Sequence, residues 1–173
     1  MSELLKPYRA ERYEIGMTRD GGAVALAPIT AATADILGNA TAAIGPWAHY
    51  GLDAQTLAEG FKSSNLSAAR YQIECGGELA GAVVIRTLWL AGPYLQMLAV
   101  LPPYQGCGIG ALILDWYESE VRGHARNVWL CVSDFNVEAQ RFYRAHGYEC
   151  VATLDGLMRD GDDELLMRKR VGR

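Results

Sequence analysis

The sequence predicts one mixed α/β domain whose elements run β-αα-βββ-α-β-α-ββ from about Ala23 onward. Three observations predict it. "ARYQIEC" (Ala69 to Cys75) alternates apolar and polar side chains and runs into Gly76-Gly77, so it reads as a half-buried strand entering a two-residue hairpin turn. Ile109, Leu112, Ile113 and Trp116 recur at helical spacing and make one apolar helix face. "NVWLCV" (Asn127 to Val132) is a mostly apolar run of strand length between two helical segments, as a buried strand of a mixed sheet would be.

The remaining elements follow in order. Residues 1–22 are polar with scattered charge and read as an N-terminal arm, leaving 23–173 as a single domain. Ala23 to Ile29 fits a strand, Thr30 caps a helix from Ala31 to Thr41, and Asp53 caps a second from Ala54 to Phe61. The loop between them, "GPWAHYG", is rich in aromatics. "ELAGAVVIRTLWL" returns from the Gly76-Gly77 turn and is apolar enough to be central. Ala91-Gly92-Pro93 breaks it, and "YLQMLAV" (Tyr94 to Val100) starts another strand. "NVEAQRFYRAHG" reads as a helix from Asn136 to a C′ glycine, Gly147. "YECVATLDGLMR" and "DELLMRK" flank Asp160-Gly161 as a last hairpin.

Composition narrows the function classes. The 173 residues are half hydrophobic and carry a net charge of −4, which speaks against nucleic acid as a partner because phosphate binding needs a basic face. Cys75, Cys107, Cys131 and Cys150 show no metal-ligand spacing and read as free buried thiols; no metal is expected. The N-terminal stretch lacks the apolar core of a signal peptide and no apolar run is long enough to span a membrane, so a cytoplasmic protein without membrane partners is expected.

"PPYQGCGIGALILDWYE" places Gly106, Gly108 and Gly110 immediately ahead of a helical run. A tight turn accounts for one glycine there and poorly for three, since each costs up to about 1 kcal/mol relative to alanine within a helix. An anion cradle accounts for all three: without Cβ atoms, the backbone N–H groups from Gln105 to Gly110 can face one phosphate, helped by the positive end of the helix dipole. No GK[ST] follows, so this is not a P-loop. Gly106, Gly108 and Ala111 also satisfy G-x-G-x-x-[GA], but "LPPYQ" separates them from the strand and no acidic residue follows about 20 positions on, as a dinucleotide fold requires.

"MLAVLPPYQGCGIGALIL" resembles the cofactor motif of the GNAT superfamily of acyl-CoA-dependent N-acetyltransferases, [QR]-x-x-G-x-[GA] after a V-x-P strand exit, through Val100, Pro102, Gln105, Gly108 and Gly110. "NVEAQRFYRAHGYECV" is similar to that family's second segment through Asn136, Ala139, Phe142, Tyr143, Gly147 and Tyr148. The resemblance implies a mixed, mostly antiparallel sheet flanked by helices, and transfer of an acetyl group from acetyl-CoA, as co-substrate, to a primary amine in a ternary complex. It also implies that the backbone of Leu98, Ala99 and Val100 pairs with the pantetheine arm. The run Gln105, Gly106, Cys107, Gly108, Ile109 and Gly110 would hold the pyrophosphate, Asn136 would contact the cofactor arm, and Tyr143 would be the general acid, with Phe142 beside it packing in the core. The expected partners are acetyl-CoA and an amine acceptor, with a homodimer left open.

One position departs from the pattern. Gln96 stands where many relatives carry a glutamate as general base, and an amide cannot take up a proton at useful pH. Deprotonating a lysine-type amine at pH 7 costs about 4 to 5 kcal/mol, and an α-amino group only about 1. Either the acceptor is a weakly basic amine or another group relays the proton, with Glu74, Tyr94 and His49 as candidates. Two other readings stay open: a non-catalytic acyl-CoA-binding sensor or structural module, and a nicotinamide-dependent oxidoreductase resting on the G-x-G-x-x-A match alone.

Overall fold

Gly76 and Gly77 both adopt positive φ, 59° and 87°, and so close the hairpin between strands β3 (Ala68–Cys75) and β4 (Glu78–Trp89). This computed structural model describes residues 7–172. The first six residues of the expected arm, and Arg173, lie outside the described residues. The other strands are β1 (Tyr13–Met17), β2 (Ala23–Pro28), β5 (Gly92–Val100), β6 (Asn127–Ser133), β7 (Glu149–Arg159) and β8 (Asp162–Arg170). Helices are α1 (Ala31–Ala42), α2 (Ala54–Lys62), α3 (Ile109–Ser119) and α4 (Val137–Ala145), with a short 3₁₀ turn at Pro102–Tyr104 ahead of α3.

The eight strands form one sheet in the order β1-β2-β3-β4-β5-β6-β8-β7. Every neighbouring pair is antiparallel except β5 and β6, which run parallel. The mostly antiparallel α/β sheet matches the expected class, with one strand more than the expected order. The polar segment read as an arm contains β1, whose Glu14–Gly16 irregularity hides the alternation that would have marked it. Its Gly16 allows α3 to approach closely: a Cβ there would lie 2.8 Å from Leu112 Cδ2.

Caps sit where the sequence puts them. Thr30 and Thr33 form a capping box at α1, the Asp53 side chain accepts from Thr56 N at 2.8 Å at α2, and Asn136 Oδ1 accepts from Ala139 N at 3.2 Å at α4. Ile109, Ile113, Leu114, Trp116 and Tyr117 of α3 are buried against the sheet; Leu112 is only half-buried because it meets β1 at the margin. All four cysteines are free, but none is buried as expected: Cys75, Cys107 and Cys131 are half-buried, and Cys150 is exposed because β7 is a mostly exposed edge strand. Among the described residues, no helix is long and apolar enough to cross a membrane.

The core is rich in tyrosine. Tyr8, Tyr71, Tyr117 and Tyr148 are all buried, and burial is the main cause that lifts each phenol well above its ordinary value of 10.0. A phenol whose pKa is raised in the fold contributes stability that is complete below pH 10 and is lost at higher pH, where the unfolded chain ionises first. Each such tyrosine removes roughly 1.4 kcal/mol per pH unit in that range. The melting temperature is therefore expected to hold steady up to about pH 9.5 and to fall steeply by about pH 11. Equal stability at pH 9 and 11.5 in a thermal scan would contradict this.

Candidate active site

Strands β5 and β6 pair only through Tyr94–Trp129 and Leu95–Leu130. Beyond that point they part, and β5 continues to Val100 paired only with β4. The gap opens into a cleft of about 1290 Å³, walled by β5, the loop into α3, α4, the α1–α2 loop, and parts of β4, β7 and β8. Gln96 falls at a bulge, because Val84 pairs with Met97 and Ile85 with Leu95, leaving Gln96 as the extra residue. Leu98 and Val100 follow it along the cleft wall.

The loop from Gln105 leads into α3 with Gly106 and Gly108 in the left-handed region, at φ 76° and 103°, and Gly108 as N-cap. Among the described residues, no backbone N–H from Gly106 to Ala111 donates to a protein acceptor. The run therefore presents free amides at the start of an eleven-residue helix. Its shape is held from behind: Gln105 Nε2 donates to Val100 O at 2.8 Å, and Arg19 N, in the β1–β2 turn, donates to Cys107 O at 3.1 Å. Gly110 packs under Phe142, where a Cβ would stand 3.0 Å from Cζ.

Tyr143 lines the cleft from α4, half-buried, with no hydrogen-bond partner for its hydroxyl among the described residues. Burial pushes its phenol up to about 12, so it is a proton carrier across any neutral range. Phe142 is also half-buried: it packs against the core, as expected, and in covering the first turn of α3 it lines the cleft as well.

The cleft thus brings together Gln96, Leu98, Val100, Gln105, Gly106, Gly108, Ile109, Gly110, Asn136 and Tyr143. Two expected positions stand outside its lining. Ala99 points to the opposite face and is 1% exposed, and the Cys107 thiol turns back to donate to Tyr104 O at 2.8 Å. Of the candidate relay groups, only Tyr94 lines the cleft, its phenol raised chiefly by burial and beside Cys131. Glu74 is tied to Arg12 at 2.6 Å and held below the usual carboxylate range by that bond. His49 Nε2 lies 3.0 Å from Asp162 Oδ2, and its ring stacks on Phe135 at 4.0 Å. Neither Glu74 nor His49 faces the cleft.

Among the cleft residues that escaped the sequence reading are Arg19, Tyr50, Arg86 and Glu164. Arg19 lies beside Gly108, its Cγ 3.9 Å from where a Cβ would be. Arg86 Nε donates to Gln96 Oε1 at 2.8 Å, so the Gln96 amide is an acceptor for a guanidinium. Glu164 is buried, and its Oε1 accepts from Tyr50 OH at 2.5 Å and Ser133 Oγ at 2.6 Å. One signal could have found it: Glu164 shares a strand face with buried Leu166, an acidic group where the alternation calls for an apolar one.

The family model described as the acetyltransferase (GNAT) family matches residues 36–148. No curated protein matches this chain. Solved structures of the same fold include an acetyltransferase from Thermus thermophilus, at 17% identity and TM-score 0.71, covering 91% of this chain and 99% of that one. The ribosomal-protein-S18-alanine N-acetyltransferase of Escherichia coli is similar at 17% identity and TM-score 0.67, covering 87% and 95%. Arabidopsis thaliana Naa50, in complex with the bisubstrate analogue CoA-Ac-MVNAL, is similar at 19% identity and TM-score 0.62, covering 84% and 97%.

Proposed function

This chain belongs to the GNAT acetyltransferase family and is an acyltransferase, and on that premise we propose that it moves an acetyl group from acetyl-CoA to a primary amine by direct attack in a ternary complex. The observation that carries the reading is the run of unpaired amides from Gly106 to Ala111, opening on the same cleft as the unpartnered Tyr143 hydroxyl. A pyrophosphate suits such a donor set: several N–H groups, a helix N-terminus, and Arg19 beside Gly108. Acetyl-CoA supplies the acetyl group as an activated thioester.

The residues divide the work by position. The splayed half of β5 keeps backbone groups near Leu98 and the Val100 N–H available to an extended pantetheine-like chain, since β6 no longer competes for them, while Val100 O is taken by Gln105 Nε2. An N–H near Leu98 can donate to an oxyanion at the parting of the strands. Asn136 uses Oδ1 for its helix cap, which leaves its amide N–H₂ for the cleft. Tyr143 donates the proton that a departing thiolate needs, and its raised pKa keeps that proton in place until then.

Gln96 serves as the anchor of Arg86 rather than as a proton acceptor. Gln96→Glu would place a carboxylate against that guanidinium, which neutralises it as a base. The substitution is expected to leave the pH–rate profile within about twofold of the wild type, well below the 10²-fold or more that a general base contributes. A variant whose activity extends toward lower pH would show that position 96 can act as a base.

Calorimetry with CoA, and separately with NADH, tests the cofactor assignment. CoA is expected to bind and NADH not to bind; the reverse would support the dinucleotide reading of the glycines.

A further inference from the structure

Two glutamates are buried, Glu118 at 5% and Glu164 at 6% exposure, and they differ in one respect. Glu118 has its countercharge within the chain: Lys169 Nζ stands 2.6 Å from Oε2, and Tyr148 OH donates to Oε1 at 3.2 Å. Glu164 has none. No Lys, Arg or His nitrogen comes within 4.0 Å of it among the described residues. Two hydroxyls, of Tyr50 and Ser133, hold Oε1, whereas Oε2 accepts no hydrogen bond from the described residues. Burying a carboxylate without a cation is costly, and buried glutamates are almost always paired. This one lines the cleft, so the missing cation can enter from outside.

We propose that Glu164 receives the ammonium group of the acceptor and takes its first proton, so that the acceptor is a primary amine that arrives charged. The inference rests on the transfer reading above and specifies its acceptor end. Trp47, Leu52, Leu88, Trp89 and Met158 also line the cleft, so the amine is carried on an apolar body.

The groups around Glu164 are compatible with this role. Tyr50 from the α1–α2 loop stays protonated, its phenol lifted to about 12 chiefly by burial and then by the bond to Glu164. Tyr94 on β5 and Cys131 on β6 sense the Glu164 charge, and burial raises both, so both stay neutral. The β7 residue opposite, Leu154, is apolar. Asp162, two residues along β8, is occupied by His49 and Arg159. Of the two carboxylates that line the cleft, Glu138 is exposed to solvent, so Glu164 is the one that is buried, and it has no basic partner among the described residues.

Bonds and protons balance in this transfer. An ammonium N–H breaks and its proton moves to Glu164 Oε2, freeing the nitrogen lone pair. That pair forms the C–N bond to the acetyl carbon, and the C–S bond breaks with its electrons on sulfur. Sulfur takes the Tyr143 proton. The second proton leaving nitrogen offsets the one Tyr143 gave, and the proton on Glu164 is released to solvent. The products are an amide, free thiol and one proton.

The test uses the full chain saturated with acetyl-CoA, phenethylamine as the charged probe and 2-phenylethanol as its neutral isostere. Wild type is expected to bind the amine at least about tenfold more tightly than the alcohol, the advantage of one charge-assisted contact. Glu164→Gln, which keeps size and shape, should lose that preference while CoA affinity and melting temperature stay unchanged. Its thiol release at pH 7 should fall by about 10²- to 10⁴-fold, with the deficit shrinking as pH approaches the pKa of the amine itself. Glu164→Asp, which keeps the charge, should retain the preference and provides the comparison if the glutamine variant fails to fold. A folded Glu164→Gln with wild-type amine affinity and pH profile would overturn the proposal, as would a wild type that binds alcohol and amine equally. Failure of the transfer reading looks different: CoA would bind and no thiol would be released, while a Glu164-dependent preference for the amine would still support the ammonium site.

Discussion

Gly108→Val is expected to abolish acetyl-CoA binding in a protein that still folds. Gly108 is the N-cap of α3 and sits at φ 103°, where a β-branched residue is strained. Relieving that strain turns the neighbouring amides away from their common point, and the valine methyls occupy the space in front of them. Each hydrogen bond to a charged group contributes about 1.5 to 3 kcal/mol, so losing two weakens binding about 10²- to 10⁴-fold. The fold should survive, because the only atom near the new Cβ is the flexible Arg19 Cγ at 3.9 Å. Calorimetry on the folded variant checks this, with circular dichroism as the control. Unchanged CoA affinity would mean that the amides do not cradle the cofactor.

Tyr143→Phe is expected to lower kcat by about 10²- to 10⁴-fold, the usual contribution of a general acid, with little change in acetyl-CoA affinity. The substitution keeps the ring and its packing against Phe142 and Tyr148, at centroid distances of 5.2 and 5.9 Å, and deletes only a hydroxyl that makes no hydrogen bond within the described residues. Stability should therefore be nearly unchanged. Because the phenol is raised to about 12, wild-type activity should show no loss from Tyr143 ionisation below about pH 11. Full activity of Tyr143→Phe under conditions where chemistry limits turnover would return Tyr143 to a packing role. It would also favour the non-catalytic acyl-CoA-binding module.

Most of the sheet is readable from the sequence because its signals are local. The alternation of Ala69 to Cys75, the Gly76-Gly77 and Asp160-Gly161 turns, and the caps Thr30, Asp53 and Asn136 each depend on residues within a few positions of one another. Strand β1 is not readable in this way, because its pairing with Ala23–Leu26 and its contact with Leu112 belong to other segments. The same distinction runs through the cleft. Gln105 to Gly110 form one continuous loop, so their spacing suffices to suggest what they do. The Glu164 environment is assembled from Tyr50, Ser133 and Glu164, separated by as many as 114 positions, and no local pattern joins them. Gln96 shows the converse: its identity is plain in the sequence, but only the Arg86 contact shows what its side chain does.

Two-substrate kinetics of thiol release, with acetyl-CoA varied against a panel of primary amines and the product identified by mass spectrometry, tests acetyl transfer to an amine most directly. Direct attack in a ternary complex predicts intersecting reciprocal plots and an amine product heavier by one acetyl group, with the protein itself unmodified. Parallel plots together with an acetylated Cys131, the thiol that lines the cleft, would contradict direct attack. Thiol release from no amine in the panel, by a protein that binds CoA, would contradict the function itself.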